Sequence, residues 1–228
     1  MKAELPQGEE KARVVRSMFD RVAERYDLVN RVMTFGLDVG WRRRAVEELR
    51  LPAGARILDV ACGTGDLCTE LARAGHRPLG VDFAFGMLEH ATTDAPLVQG
   101  DALRLPLRDA SVDGASCGFA LRNVTDLSGL FGELARVIRR GGRVALLETA
   151  EPESRLMRAG HRVYFGRVVP VVGGALSDRA AYAYLPRSMA YLPAPQELLR
   201  MLTDAGFDPV RRNALTGGVA QLVTGTLS

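Results

Sequence analysis

Along the chain the spacing of apolar positions switches repeatedly between two periods. Short apolar runs at residues 56–61, 78–82, 112–118 and 143–148 alternate with amphipathic stretches near 66–74, 84–91 and 127–139. That alternation is the pattern of βαβ units, with a period of two giving way to one of 3.6. Crossovers between parallel strands are almost always right-handed, so such units build a parallel sheet with helices on both faces. The expected fold class is therefore α/β, a doubly wound and mostly parallel sheet. Residues 1–55 read as helical, with "SMFDRVAERYDLVNRVM" apolar at helical spacing, and are expected to cap the ligand edge of the sheet. Residues 56–150 form the expected cofactor-binding core. Residues 151–194, rich in Arg, Tyr, Val, Gly and Pro, interrupt the alternation and read as the least regular part, an insertion that acts as lid or substrate segment. Residues 195–228 supply a last helix, "APQELLRMLTDAGF", and two terminal strands, all within a single domain.

Composition narrows the class. A chain of 228 residues, 47% hydrophobic and 25% charged, can bury a substantial core as one domain. It has no apolar run approaching the roughly 18 residues that signal a membrane span. Its start, "MKAELPQGEEKARVV", lacks an apolar core and a small-residue cleavage site, so the cytoplasm is the expected location. Cys62, Cys68 and Cys117 make an odd count without metal-ligand spacing, so neither a disulfide framework nor a metal site is expected. The net charge of +3 is nearly all arginine and lacks the concentrated basic stripe of a nucleic-acid binder.

The stretch "RILDVACGTGDLCTELARAG" carries the first chemistry. In a doubly wound sheet, ligands bind outside the carboxyl ends of the strands, where Gly63, Thr64, Gly65 and Asp66 fall. A dinucleotide fingerprint would have glycine or alanine at position 68 and aim the helix N-terminus at a pyrophosphate. Position 68 is cysteine, and Asp66 would face that pyrophosphate. Two like charges about 4 Å apart at an effective dielectric near 20 repel by roughly 4 kcal/mol, which disfavours a dinucleotide. A ligand presenting an ammonium gains instead from Asp59 or Asp66, and S-adenosylmethionine presents one beside a ribose and an adenine.

The next two βα junctions fit those parts. Asp82 ends the second strand at the distance from the glycines where a carboxylate accepts both ribose hydroxyls, and Phe83 beside it can lie against adenine. Asp101 ends the third strand, where it can accept from the adenine amino group while the Ala102 amide donates to a ring nitrogen. Singly, each acid reads equally well as a turn or loop residue; together, in order and at strand ends, they favour the adenosyl ligand.

From about Phe19 onward the chain resembles the demethylmenaquinone/ubiquinone C-methyltransferase family. "YDLVNRVMTFGLDVGW" is similar to that family's Tyr-Asp-x-Met-Asn signature with its following Phe-Gly-Leu and Trp. The glycine motif, "FALRNVTD", "RVIRRGGRVALLET" and "YAYLPRS" also resemble family segments. The departures are Val29 for the signature Met, Asp38 where many members have His, Gly118 where many have Ser, and Val223 for a C-terminal His. The resemblance implies a seven-stranded Rossmann-like methyltransferase sheet and S-adenosylmethionine contacted by Thr64, Asp82, Asp101 and Ala102, with Gly118 at the same site. It also implies a polyprenyl naphthoquinol substrate. Tyr26, Asn123 and Tyr184, each within a matching segment, are candidates to contact it. A homo-oligomer such as a dimer is expected.

C-methylation asks for positioning and one proton acceptor. His76 reads as a turn residue, His90 as part of a helix and His161 as part of the insertion, so no histidine presents itself as the base. Arg122 is the candidate catalytic residue: it follows the fourth strand and can polarise a water or stabilise a quinolate. An ion pair with Asp126 or another loop acid is the alternative. Trp41, the only tryptophan, is expected to pack the cap against the sheet. Arg155, Arg158, Arg162 and Arg167, interleaved with aromatic and branched residues, could lie on anionic lipid, against the alternative of a cap helix with a solvated basic face. A methyltransferase for a soluble small molecule, a ubiquinone-pathway quinol and a non-catalytic cofactor-binding module stay open as other readings.

Overall fold

The computed structural model describes residues 6–228, so the first five residues of the expected cap lie outside the described residues. Three helices come first: α1 (Gly8–Val22), α2 (Tyr26–Met33) and α3 (Leu37–Leu49). The alternating core follows, with β1 (Arg56–Val60), α4 (Asp66–Arg73), β2 (Arg77–Asp82), α5 (Phe85–Glu89), β3 (Leu97–Gln99), β4 (Val112–Gly118), α6 (Leu127–Val137) and β5 (Ile138–Thr149). Then come α7 (Arg155–Val163), a π-helical turn (Tyr164–Val168), α8 (Val169–Leu176), α9 (Arg179–Ser188), α10 (Pro195–Asp204), β6 (Arg211–Leu215) and β7 (Ala220–Thr226).

The seven strands form one sheet in the order β3-β2-β1-β4-β5-β7-β6, and β7 is antiparallel to both of its neighbours. The remaining pairs are parallel, which makes the sheet doubly wound with a reversed strand at one side. Alternation along each strand feeds two cores. Leu58, Val60, Val144 and Leu146 pack with Leu130, Phe131, Leu134, Leu198 and Leu202 of α6 and α10. Their neighbours Ile57, Ala145 and Leu147 face the other way, onto Trp41, Val46, Leu49, Leu67 and Leu71 of α3 and α4. Trp41 thus packs α3 against the sheet, with its indole Nε1 donating to Thr216 Oγ1 at 2.8 Å.

Residues 151–194 are helical through most of their length rather than irregular. Glycine and proline lower their helix propensity, but tertiary packing holds the helices. Gly173 of α8 lies so close to Tyr182 of α9 that an added Cβ would sit 2.1 Å from the ring. Val169, Ala181, Tyr182 and Tyr184 share a third core with Met18 and Val22 of α1 and Val29 and Met33 of α2. Arg21 bonds Asp178, the N-cap of α9, at 3.1 Å, so the first helices and the insertion pack together above the carboxyl ends of the strands.

Candidate functional site

The turn after β1 is built on backbone that few side chains tolerate. Gly63 and Gly65 have φ of +56° and +86°, and a Cβ at Gly65 would come within 2.3 Å of Thr93 Cγ2. Only glycine meets both demands at residue 65. Asp82, at the end of β2, fixes the turn from the side: its Oδ2 accepts from the Gly63 amide at 2.7 Å and its Oδ1 from the Ala84 amide at 2.8 Å. Burial raises its pKa, against the pull of those amides.

A cavity opens beside this turn. Gly63, Asp82, Phe83, Asp101, Ala102, Gly118 and Asn123 line it from the sheet, and Ala12, Val15, Arg16 and Phe19 of α1 close it from above. The Arg16 guanidinium stands 5.0 Å from the Phe83 ring centroid. Asp59, Thr64 and Gly65 lie behind the wall. Asp59 is fully buried, accepts from Ser116 Oγ at 2.8 Å and lies 3.6 Å from Cys68 Sγ. Burial pushes its pKa up to about 7, although the Ser116 and Cys68 bonds oppose the rise. Thr64 Oγ1 donates to Asp27 at 2.6 Å and so ties the glycine turn to α2. Asp66 is no free acid either, since Arg42 and Arg31 hold it at 3.2 and 3.5 Å.

A second, larger cavity of about 420 Å³ adjoins the first, and it is lined mostly by apolar side chains. Met33, Phe35, Trp41, Tyr164, Phe165 and Met189 supply much of that wall; Asp38, Arg42, Arg122 and His161 supply the charge and polarity. Tyr26 and Phe119 line both cavities. Phe119 holds φ +59°, a strained conformation for a bulky residue. Its amide donates to Leu147 O at 2.7 Å and its carbonyl accepts from Arg122 Nη1 at 2.8 Å, which keeps it there. Burial raises the pKa of the Tyr26 hydroxyl.

Arg122 is buried and ion-paired, and its partner is Glu148 at the end of β5, not Asp126. Asp126 is engaged as the N-cap of α6, accepting from Gly129 N at 3.0 Å. The Arg122 Nε donates to Ser188 Oγ at 3.2 Å. Tyr184 stands outside both cavities and meets Asn123 Oδ1 at 3.4 Å. The sequence reading missed Glu148, although an acid inside the apolar run "VALLET" signals a buried cation nearby. It also missed Phe119, Arg16 and the Asp38–Arg42 pair, an i,i+4 couple on α3. Among the described residues no group of three or more His, Cys, Asp or Glu is arranged to hold a metal ion.

A model of the ubiE/COQ5 methyltransferase family matches residues 7–227. The chain belongs to that family. A demethylmenaquinone methyltransferase of Roseiflexus castenholzii is 44% identical, with 97% of this chain and 96% of that protein aligned. A ubiquinone/menaquinone biosynthesis C-methyltransferase of Syntrophotalea carbinolica is 41% identical over 93% of this chain and 94% of its own. Among solved structures, a SAM-dependent methyltransferase of Thermotoga maritima, a possible histamine N-methyltransferase, superposes with a TM-score of 0.68 at 21% identity, covering 93% of this chain and 99% of its own. That likeness is one of fold: the Rossmann-like methyltransferase sheet of this ubiE/COQ5 family member.

Proposed function

We propose that this chain moves the methyl group of S-adenosylmethionine to a ring carbon of demethylmenaquinol, giving menaquinol. The observation that carries the reading is the meeting of two cavities at Tyr26 and Phe119, one edged by strand-end acids and the other walled by apolar side chains. The demethylmenaquinone methyltransferase relative, aligned over nearly the whole chain, favours it over a soluble substrate.

The smaller cavity suits the cofactor chemically. Each Asp82 oxygen accepts one backbone amide and keeps a second lone pair for a ribose hydroxyl. Asp101 and the Ala102 amide offer an acceptor and a donor to adenine, while Gly63 and Gly118 leave room for the amino-acid end. Asp59, Thr64 and Gly65 act from behind the wall, Asp59 by holding Ser116 and Cys68 and the other two by the shape of the turn. When bound, S-adenosylmethionine supplies an electrophilic methyl on a sulfonium centre.

In the larger cavity, the apolar walls take the fused rings and the start of the prenyl tail. Arg122, fixed by Glu148 and Ser188, presents a rigid planar donor to the quinol oxygen and stabilises charge there without losing its proton. Tyr26 touches both ligands, and Tyr184 acts through Asn123. Orientation of this kind supplies about 7–11 kcal/mol of a barrier.

A prenylated quinol resides in the bilayer, and among the described residues no helix is long and apolar enough to cross one. The mouth of the larger cavity supports a peripheral contact. Phe35, 79% exposed, packs 5.9 Å from Tyr164, and Leu156 and Val171 nearby in the chain are 84% and 70% exposed. Arg155, Arg162 and Arg167, all exposed, punctuate the same segment. Apolar side chains dipping between headgroups, with arginines on the phosphates, are how a surface-bound protein reaches such a substrate.

The second reading, a benzoquinol of the ubiquinone pathway, is favoured by the relative whose name covers both quinones. Supplying the purified protein with S-adenosylmethionine and either reduced precursor in detergent separates them. Turnover of the naphthoquinol precursor is expected; turnover of the benzoquinol alone would replace the first reading by the second.

A further inference from the structure

We propose that His161 accepts the proton of the quinol hydroxyl. The inference rests on the quinol reading of the larger cavity, whose wall His161 forms in part. Its Nε2 is buried without a hydrogen-bond partner. Buried polar atoms are nearly always paired, so an orphaned acceptor on a residue of the cavity wall is a place for a ligand donor once the ring turns towards the cavity. The ring is held by Phe165, one turn further along, with centroids 4.3 Å apart and planes 32° from parallel.

The other charged and titratable groups of the cavity are poor acceptors. Burial alone would raise the pKa of Asp38, but its Thr34 and Arg42 partners outweigh burial and hold it low, with both oxygens engaged. Arg42 is paired with Asp38 and Asp66, and Arg122 with Glu148. The Tyr26 and Tyr164 hydroxyls have pKa values raised by burial and stay protonated, and Tyr164 already donates to Met33 O at 2.7 Å. His161 has its pKa lowered by burial, with Glu151 outside the cavity acting against the fall. The ring is therefore neutral at neutral pH and, in the tautomer protonated at Nδ1, has its Nε2 lone pair available.

The step is a single proton transfer. The quinol O–H bond breaks, its electron pair stays on oxygen and conjugates into the ring, and the proton passes to Nε2. Once the ring carbon has been alkylated, its displaced hydrogen leaves as a proton to water, and the imidazolium returns its own proton to the oxygen. No oxidant or further co-reactant is needed.

His161→Gln keeps a polar side chain but not the base. The expected result is a fall in kcat of at least a hundredfold, loss of the acid limb of the kcat–pH profile, and a Kd for S-adenosylmethionine within threefold of the unmutated protein. A second measurement needs no variant. In isotope-labelled protein, a 1-naphthol bearing a short alkyl chain, which resists oxidation, should shift the His161 Nε2 resonance more than that of Nδ1. A kcat within threefold in the variant, or an unmoved Nε2 resonance with naphthol bound, overturns the proposal. If the unmutated protein transfers no methyl to the quinol, the substrate reading fails by itself, and the naphthol titration still decides the role of His161.

Discussion

Replacing Glu148 by alanine should cost this protein more than any surface substitution. The carboxylate is 0% exposed and accepts from the Arg122 amide at 3.2 Å, the Thr149 amide at 2.8 Å and the Thr149 hydroxyl at 3.1 Å, besides the Arg122 guanidinium. Arg122, at 6% exposure, would be left as a buried cation without its counter-ion. Breaking such a pair costs about 3–5 kcal/mol. For a chain of this length each kcal/mol lowers the melting temperature by about 2–4 °C, so a drop of about 6–20 °C is expected. Glu148→Gln, which keeps an acceptor oxygen, should fall between. Replacing both partners, as Arg122→Met with Glu148→Leu, should recover much of the loss because no unpaired charge remains. Thermal unfolding of the four proteins without ligand reads all of this. A Glu148→Ala melt within 2 °C of the unmutated protein would refute the reasoning, as would a double variant less stable than Glu148→Ala.

Asp82→Ala removes a carboxylate worth roughly 1.5–3 kcal/mol per ribose hydroxyl, so calorimetry should show S-adenosylmethionine binding at least a hundredfold weaker; an unchanged Kd would remove the cofactor from this cavity. Asp59, with its pKa raised to about 7 by burial, is protonated in the folded chain where the unfolded chain is ionised. Its contribution to stability is present below pH about 4 and is lost as pH rises towards about 7, a span worth about 4 kcal/mol at most. Asp59→Asn should therefore melt higher than the unmutated protein at pH 8 and close to it at pH 4, and identical pH profiles would show that Asp59 does not titrate there. Replacing Arg155, Arg162 and Arg167 by Gln should weaken sedimentation with anionic vesicles at least tenfold, since each arginine near the surface adds about 1 kcal/mol. Equal sedimentation of both proteins would make the segment a lid and not a membrane contact.

The sheet was legible because period and turn chemistry are local. Runs at 56–61 and 78–82 became β1 and β2, and Asp59 and Asp82 at or near their carboxyl ends follow from that register. The cofactor cavity shares this legibility, since Gly63, Asp82, Asp101 and Gly118 all follow from strand ends. The larger cavity does not. Its residues come from α2, α3, the turn after β4, the insertion and the loop before β7, which no spacing relates. The helices of the insertion were hidden by Gly160, Gly166, Pro170 and Gly173, residues that weaken a helix alone, of which Gly173 lets α8 lie against Tyr182. Which acid Arg122 would choose also depended on β5 lying beside β4, a contact of tertiary origin.

The reaction assigned to this chain forms a carbon–carbon bond to a naphthoquinol. Purified protein, S-adenosylmethionine with an isotope-labelled methyl group, and demethylmenaquinol kept reduced in detergent test it directly, with mass spectrometry of the extracted quinone after reoxidation. Menaquinone carrying the labelled methyl on its ring carbon is the expected product. Label found on oxygen, or no label in the quinone while S-adenosylmethionine binds normally, would contradict it.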